Sequence, residues 1–161
     1  MSDEAGALPW KLDAGVAQLT NLSHVGVAVE NAEATAKMLS SIWNIGDPEV
    51  FDYYPQPEDM IAGESFAVRL VFMKFGPLTI ELLEPLDDKS IWSKFIAEKG
   101  EGIHHIAFGV SNYDEMVDTM TAKGHPLLVA AVFNGERWCY FDTSPGGTVI
   151  EFREEYARAS A

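Results

Sequence analysis

Residues 102–110, GIHHIAFGV, place two adjacent histidines at the head of a short apolar run. The stretch LSHVGVAV, residues 22–29, has the same layout: an apolar residue, a spacer, a histidine and then alternating small and branched residues. The chain has only four histidines in 161 residues, so this match is unusual for unrelated segments. It indicates an internal repeat in which His24 corresponds to His105.

Each histidine run is followed by a segment with apolar residues at every third or fourth position, which predicts a helix in each half. We expect Asn31 or Ser111 to cap the start and Gly46 or Gly124 to end it, over residues 30–46 and 111–124.

Three strand candidates follow each helix, and a further helix links the halves. The strand candidates are 49–54, 66–75 and 76–85 in the first half, and 126–133, 136–142 and 146–155 in the second. Gly100 ends the predicted linking helix, 87–100. The order strand–helix–strand–strand–strand therefore occurs twice, which predicts an α+β domain over 20–155 made of two βαβββ modules, 20–86 and 101–155.

The histidine strands carry empty space on the face that bears the histidine. Residues two apart on a strand share a face, so His24 is followed on its face by Gly26 and Ala28, and His105 by Ala107 and Gly109. A packed core avoids such voids because each missing methyl group costs about 1 kcal/mol. The pattern favours a site that something other than a side chain fills.

Two glutamates occupy equivalent places in the last strand of each half. Glu81 lies between Ile80 and Leu82, and Glu151 between Ile150 and Phe152. A lone carboxylate in an apolar strand is costly unless it is paired or bound to a cation.

A metal site explains these four residues together. Singly, such a histidine is typical of a satisfied core position, and such a glutamate of a solvated edge. Two imidazoles and two carboxylates at equivalent places in a repeat converge if the halves pack about a pseudo-twofold axis. They then suit one divalent ion, although several ions are compatible with two nitrogens and two oxygens. The predicted ligands are His24, Glu81, His105 and Glu151.

The overall charge and the cysteine count limit the partners and the compartment. A net charge of −14 argues against a nucleic-acid groove or an anionic membrane surface, but not against an anionic small molecule. Cys139 is the single cysteine, which excludes an intramolecular disulfide and favours a reducing compartment. The start of the sequence does not resemble a signal peptide, and the apolar run 126–133 is too short to span a bilayer. We therefore expect a cytoplasmic protein.

The residues of this repeat resemble the vicinal oxygen chelate superfamily, which includes glyoxalase I, type I extradiol dioxygenases and bleomycin-resistance proteins. Within it, the run LTIELLEPLDDKSIWSKFIAEKGEGIHHIAFGV, residues 78–110, is similar to the methylmalonyl-CoA epimerase family. The resemblance implies a cupped, eight-stranded mixed sheet with the metal inside. It implies the same four ligands, and it assigns the second histidine of the pair, His105, rather than His104. His104 is then expected on the opposite face in a packing or supporting role, and His125 in an ordinary turn.

The resemblance also implies the chemistry. A divalent ion binds two substrate oxygens and stabilises the enolate that forms when a base removes the proton between them. The family's bacterial members carry a second catalytic glutamate at the position of Leu70, which cannot move a proton. Three alternatives remain open: Glu151 or Glu81 leaves the metal and acts as the base, an acid of the 55–65 loop does so (Glu58, Asp59 or Glu64), or the reaction is a different one.

Other expectations concern substrate contacts and assembly. Lys74 and Arg153 are each an even number of residues from a predicted pocket position on the same strand, so they lie on the pocket face. With Tyr140, they are candidates for binding a small carbonyl or acyl substrate. The resemblance implies a homodimer. Residues 1–19 are expected to form an N-terminal arm and 156–161 a C-terminal tail.

Three rival functions stand beside the epimerase or isomerase, and the first is a glyoxalase-type lyase or isomerase of the same superfamily. An iron extradiol dioxygenase needs two histidines and one carboxylate, so Glu81 would be dispensable for metal binding. A binding or resistance protein of the same fold would hold no metal.

Overall fold

The computed structural model describes residues 19–46, 48–143 and 147–155. Within these ranges, nine strands and three helices follow one another in the order β1, α1, β2–β5, α2, β6, α3, β7–β9. The strands are β1 Leu19–Ala28, β2 Glu49–Tyr53, β3 Met60–Ala62, β4 Val68–Phe75, β5 Leu78–Pro85, β6 Gly102–Val110, β7 Leu127–Phe133, β8 Glu136–Asp142 and β9 Val149–Glu154; the helices are α1 Ala32–Trp43, α2 Ile91–Lys99 and α3 Tyr113–Ala122.

All nine strands form one curled mixed sheet in the order β2-β4-β5-β1-β6-β9-β8-β7-β3. Strand β1 pairs parallel with β5, and β6 pairs parallel with β9. The first strands of the two halves, β1 and β6, pair antiparallel at the centre of the sheet. The two halves are thus mirrored in strand order about this central pair, and the predicted α+β fold class with a cupped mixed sheet is confirmed.

Strand β3 is an addition to the eight strands expected. It lies within the segment 55–65 that we expected to be a loop, after a short 3-10 helix, Pro57–Asp59. Met60 is paired with Ala131 of β7, so the segment extends the sheet at the edge that belongs to the second half.

The helices begin and end close to the predicted residues. The side chain of Asn31 accepts a hydrogen bond from the backbone N–H of Ala34 and caps α1 as predicted. Helix α1 ends at Asn44, which adopts a left-handed conformation with φ 50°, before the Gly46 expected to end it. The cap of α3 is Asn112, one residue after the expected Ser111.

The two faces of the sheet have different coverings. Helix α1 packs on the convex face against Val71, Met73 and Leu82, and α3 packs against Phe141 and Phe152. The concave face is left to form a cleft.

The curl brings β2 close to β7 across the mouth of the cleft. The hydroxyl of Tyr53 donates a hydrogen bond to the carbonyl of Val132 (3.0 Å), and the ring of Phe51 stacks on that of Phe133 at 5.8 Å. These contacts hold the sheet in its cupped shape.

Of the expected N-terminal arm, only Leu19 is described, as the first residue of β1; residues 1–18 and the tail 156–161 lie outside the described residues. In the described part of the chain, no helix is both long and apolar enough to cross a membrane.

Candidate metal centre

Four neighbouring strands bring the predicted ligands together at the bottom of the cup. His24 and His105 lie on the central strands β1 and β6, and Glu81 and Glu151 lie on β5 and β9, which flank them. All four side chains are buried, and one ligand atom from each lies within 4.8 Å of the others. The two halves contribute matching residues because, in each half, the strand that carries the histidine is paired with the strand that carries the glutamate.

Gly26 makes the close approach of the two halves possible. It is paired with His105 of β6 and with Glu81 of β5. A Cβ at this position would overlap the imidazole ring of His105. The space beside Gly26 is therefore filled by the side chain of His105, so the expectation that something other than a side chain fills it is wrong at this position.

The four candidate ligand atoms are spaced like the corners of a metal coordination shell. His24 Nε2 lies 3.2 Å from His105 Nε2, 3.1 Å from Glu81 Oε2 and 3.0 Å from Glu151 Oε2. His105 Nε2 lies 3.4 Å and 3.0 Å from the same two oxygens. Tetrahedral ligands about 2.0 Å from a metal are about 3.3 Å apart.

The contacts within the cluster are not satisfied by hydrogen bonds alone. Glu151 Oε2 is buried and makes no hydrogen bond in the described part of the chain, although two imidazole nitrogens lie 3.0 Å away. An orphaned buried carboxylate oxygen is rare and costly. The four candidate ligand atoms converge on a common point, so these four residues could hold a divalent metal ion.

The second nitrogen of each imidazole has a contact that fixes the ring. Ser23 Oγ lies 3.1 Å from His24 Nδ1, and His104 Nδ1 lies 3.0 Å from His105 Nδ1. Metal-binding histidines characteristically have such a partner for the other ring nitrogen, which orients the ring.

His104 occupies a β-bulge in β6 rather than a plain alternating position. The register shifts there, since Gly26 is paired with His105 but Val27 with Ile103. The bulge lets the ring of His104 contact that of His105 and pack under α2 against Phe95. Simple alternation along the strand would place His104 on the face opposite His105, but the bulge brings the two rings into contact. The contacts of His104 with Phe95 and His105 agree with the packing or supporting role expected of it.

Electrostatics within the cluster is dominated by attraction between imidazoles and carboxylates. Burial alone would lower the pKa of His24, but Glu81 and Glu151 outweigh it and raise the pKa to about 10. The pKa of His105 is raised for the same reasons. Burial alone would raise the pKa values of Glu81 and Glu151, yet the histidines hold both below the usual range.

His104 differs from the two histidines of the cluster. Burial, followed by the neighbouring His105, lowers the pKa of His104 to about 3. His104 is therefore neutral at pH 7 and can accept a hydrogen bond from the Nδ1–H of His105.

A cleft opens in front of the cluster, with about 420 Å³ of empty space that includes the open solvent at its mouth. Polar and apolar side chains line it: Tyr53, Val68, Leu70, Phe72, Glu81, Trp92, Phe133, Trp138, Tyr140, Glu151 and Arg153.

Two of the three candidate substrate contacts lie in this cleft. Tyr140 and Arg153 both line it, with the Tyr140 hydroxyl 3.4 Å from His105 Nε2 and Arg153 Nε 4.0 Å from Glu151 Oε1. Lys74 is exposed near the end of β4 and is not among the lining residues, so its contact with substrate stays a prediction.

The loop acids are not among the residues that line the cleft. Glu58 and Asp59 belong to the 3-10 helix, and Glu64 lines a separate cavity beside α2. Among the described residues that line the cleft, the carboxylates are Glu81 and Glu151.

Sequence reasoning missed Trp92. It belongs to the linking helix α2, is 2% exposed, and its Nε1 has no hydrogen-bond partner within the described ranges. Its place beside the cleft depends on how α2 packs over the sheet, which no local pattern signals.

Comparison with known proteins agrees with the fold. The profile of the Glyoxalase/Bleomycin resistance protein/Dioxygenase superfamily matches residues 23–141, well over half of the chain. The chain is 32% identical over 129 residues to the mitochondrial methylmalonyl-CoA epimerase of Bos taurus, covering 80% of this chain and 65% of that protein. It is 32% identical over 106 residues to the human enzyme, covering 65% of this chain and 54% of that protein. The chain thus spans between half and two thirds of these curated relatives.

Solved structures give the same result. A variant of the Streptomyces coelicolor methylmalonyl-CoA epimerase, in complex with 2-nitronate-propionyl-CoA, superposes with a TM-score of 0.67 at 28% identity. The superposition covers 89% of this chain and all of that chain. The matched profile, the duplicated fold and the buried histidine–glutamate cluster lead to one conclusion: the chain belongs to the Glyoxalase/Bleomycin resistance protein/Dioxygenase superfamily.

Proposed function

We propose that this chain is a metal-dependent epimerase or isomerase that removes a proton from the carbon next to a carbonyl. Methylmalonyl-CoA or a related 2-acyl acid is the proposed substrate. The observation that carries the proposal is the convergence of His24, His105, Glu81 and Glu151 at the head of a cleft. The relatives named as methylmalonyl-CoA epimerases support the choice of reaction.

His24, Glu81, His105 and Glu151 hold one divalent cation in this proposal. The positive charge of the cation would stabilise the negative charge that develops on the substrate oxygen when the neighbouring carbon loses its proton. Ser23 and His104 keep the two imidazole rings in their binding orientation.

The proton is taken by Glu151 or Glu81. These are the carboxylates among the described residues that line the cleft, and the carbon acid is too weak for a carboxylate base unless nearby charge stabilises the product. Leu70, at the position of the family's second glutamate, lines the cleft as an apolar side chain. Glu81 and Glu151 come from different halves of the fold, so one can remove the proton from one face of the carbon and the other can return a proton to the opposite face, which inverts the centre.

Arg153 and Tyr140 bind the polar part of the substrate. The Arg153 guanidinium can hold a substrate carboxylate. Burial, followed by Glu151 and Glu81, raises the pKa of Tyr140 well above its usual value. The phenol therefore stays protonated and can donate a hydrogen bond to a substrate oxygen.

Exchange of the substrate α-proton in heavy water, followed by NMR with added Co²⁺, Mn²⁺ or Zn²⁺, tests the proposal. The panel contains acyl-CoA thioesters and free 2-substituted 3-oxo acids. Exchange of thioesters alone supports the epimerase, and exchange of free acids alone moves the assignment to an isomerase of free acids. Glu151→Gln should abolish exchange, while the matched control Glu98→Gln, on the exposed face of α2, should not. Absence of exchange from the metal-loaded protein with both substrate classes contradicts the proposal.

Assembly and location belong to the same proposal. We propose a homodimer in the cytoplasm that acts on a small acyl substrate. Light scattering of the purified protein measures the assembly, and a mass of one chain contradicts it.

A further inference from the structure

The indole of Trp92 carries a buried hydrogen-bond donor that has no acceptor. Trp92 belongs to α2, is 2% exposed and lines the cleft. Within the described ranges, its Nε1 is the only buried side-chain nitrogen that makes no hydrogen bond. A buried polar group without a partner is rare in folded proteins and calls for a cause. We therefore looked for the group that this donor faces.

The phenol of Tyr140 is the polar group that faces this donor. The rings of Trp92 and Tyr140 meet edge-on, with centroids 6.0 Å apart and an interplanar angle of 89°. Burial, followed by Glu151 and Glu81, raises the pKa of Tyr140, whereas Arg153 and the indole N–H of Trp92 lower it. A neutral donor lowers the pKa of a phenol by pointing at its oxygen. The two groups are thus neighbours, although no hydrogen bond joins them in this structure.

The Tyr140 hydroxyl is instead directed at a candidate metal ligand. Its oxygen lies 3.4 Å from His105 Nε2. An imidazole nitrogen that is bound to a metal can neither donate nor accept a hydrogen bond. The phenol therefore loses this contact when the metal site is loaded. Hydrogen bonds that are long or misaligned in the free protein often tighten once ligands are bound.

The chemistry of the two side chains fixes the direction of a hydrogen bond between them. An indole nitrogen donates one proton and accepts none, whereas a phenol can do both. Tyr140 must therefore accept through its oxygen, and its own proton then points away from Trp92. That proton is left for the substrate oxygen that Tyr140 is proposed to contact.

We propose that Trp92 is a positioning residue, whose indole N–H donates to the Tyr140 oxygen in the metal-loaded protein and so orients the Tyr140 proton towards the substrate. This role rests on the proposed function, which assigns Tyr140 to a substrate oxygen. A hydroxyl that accepts a hydrogen bond becomes a stronger donor, because neighbouring hydrogen bonds polarise one another. Trp92 thereby strengthens the contact that stabilises the negative charge on the substrate oxygen.

Nuclear magnetic resonance of the full-length, isotope-labelled, Zn²⁺-loaded protein tests the hydrogen bond without requiring turnover. Trp92→Phe identifies the indole N–H signal of Trp92 by removing it. We expect this signal to move upfield in Tyr140→Phe, because the acceptor of the indole proton is lost. It should stay unchanged in Tyr54→Phe, the matched control at an exposed phenol. An unchanged signal in Tyr140→Phe overturns the inference.

Exchange of the substrate α-proton tests whether the indole acts through Tyr140. Trp92→Phe keeps an aromatic ring but lacks the N–H. It should lower kcat about fivefold at unchanged KM and metal content, because the lost contact acts on charge that develops during the reaction. In a Tyr140→Phe background, the same change should lower kcat less than about twofold. Trp43→Phe, at an exposed tryptophan of α1, is the matched control and should keep the wild-type kcat.

The remaining outcomes separate this role from the proposed function. If Trp92→Phe lowers kcat equally in both backgrounds, the indole does not act through Tyr140 and the inference is wrong, while the proposed function stands. If the wild type exchanges neither class of substrate, the proposed function fails and the inference fails with it. If Trp92→Phe does not fold, the indole signal is assigned through its nuclear Overhauser contacts with the ring of residue 140, and the comparison of Tyr140→Phe with the wild type decides.

Discussion

Gly26 illustrates how a single residue positions the site. A methyl group at this position would overlap the imidazole ring of His105, which reaches across from the other half of the sheet. In Gly26→Ala, the ring must move and the alignment of Nε2 with the other three ligand atoms is lost. We expect metal affinity, measured by competition with a chromophoric chelator, to fall at least about tenfold.

Gly102→Ala is the matched control for this prediction. Gly102 also lies in a central strand, but a Cβ there meets nothing within 4 Å. The control should bind metal as the wild type does. A folded Gly26→Ala protein with wild-type metal affinity would show that His105 does not depend on the space at residue 26.

Tyr140→Phe separates metal binding from substrate positioning. The hydroxyl lies beside His105 Nε2, and it becomes available to a substrate oxygen once that nitrogen is bound to metal. We expect unchanged metal content and an α-proton exchange rate about ten- to a hundredfold lower. Tyr54→Phe, at an exposed tyrosine, should change neither quantity. A Tyr140→Phe protein that exchanges at the wild-type rate contradicts the assigned role.

At this scale, the sequence predicts the residues that the repeat duplicates and misses those that depend on distant contacts. His24 and His105, and likewise Glu81 and Glu151, stand out because each occurs twice in register. Lys74 lies two residues after Phe72 and therefore on the same face of β4, but this spacing does not reveal where along β4 the cleft ends. The contribution of Trp92 arises only when α2 packs beside the cleft.

At the scale of elements, Asp87 fixes the start of the linking helix α2. Its carboxylate accepts hydrogen bonds from the backbone N–H groups of Lys89 (2.8 Å), Ser90 (2.7 Å) and Ala67 (2.6 Å). Burial alone would raise the pKa of Asp87, but these backbone donors lower it below its ordinary value of 3.8. The ionised carboxylate thus ties α2 to the segment before β4.

We expect Asp87→Ala to lower the free energy of unfolding at pH 7 by about 1–3 kcal/mol, measured by urea denaturation. Because the folded-state pKa is depressed, this contribution is present above pH 3.8 and disappears as the pH falls through the lower folded value. The difference between wild type and variant should therefore shrink in acid. The exposed neighbour Asp88, changed to Ala, should cost less than about 0.5 kcal/mol. A difference that does not depend on pH contradicts the assigned role of the carboxylate.

Strand β3 shows why one element could not be predicted. Its three residues lie in a segment rich in proline and acidic side chains, and they form a strand only because β7, some 70 residues later, offers a free edge. The other strands carry their own apolar alternation or apolar runs, and they lie where the sequence predicts them to within about three residues.

At the scale of the whole molecule, the proposed metal ion joins the two halves of the fold. Two ligands come from β1 and β5 of the first half, and two from β6 and β9 of the second. A cation that binds only the folded chain at a hundred times its dissociation constant stabilises it by about 2.7 kcal/mol. We expect the thermal unfolding midpoint to rise with added Co²⁺ or Zn²⁺ for the wild type and for Glu98→Ala, but not for Glu151→Ala. An equal rise in all three proteins would place the binding elsewhere.

The number of metal ions bound per chain is the most direct test of the four-ligand centre. Wild type and the alanine variants of His24, Glu81, His105 and Glu151 are loaded with Co²⁺, desalted and measured by elemental analysis. We predict about one ion per chain for the wild type and a small fraction of that for each variant, Glu81→Ala included. A wild-type protein that retains no metal contradicts the account, and full retention by Glu81→Ala would instead indicate the three-ligand site of a dioxygenase.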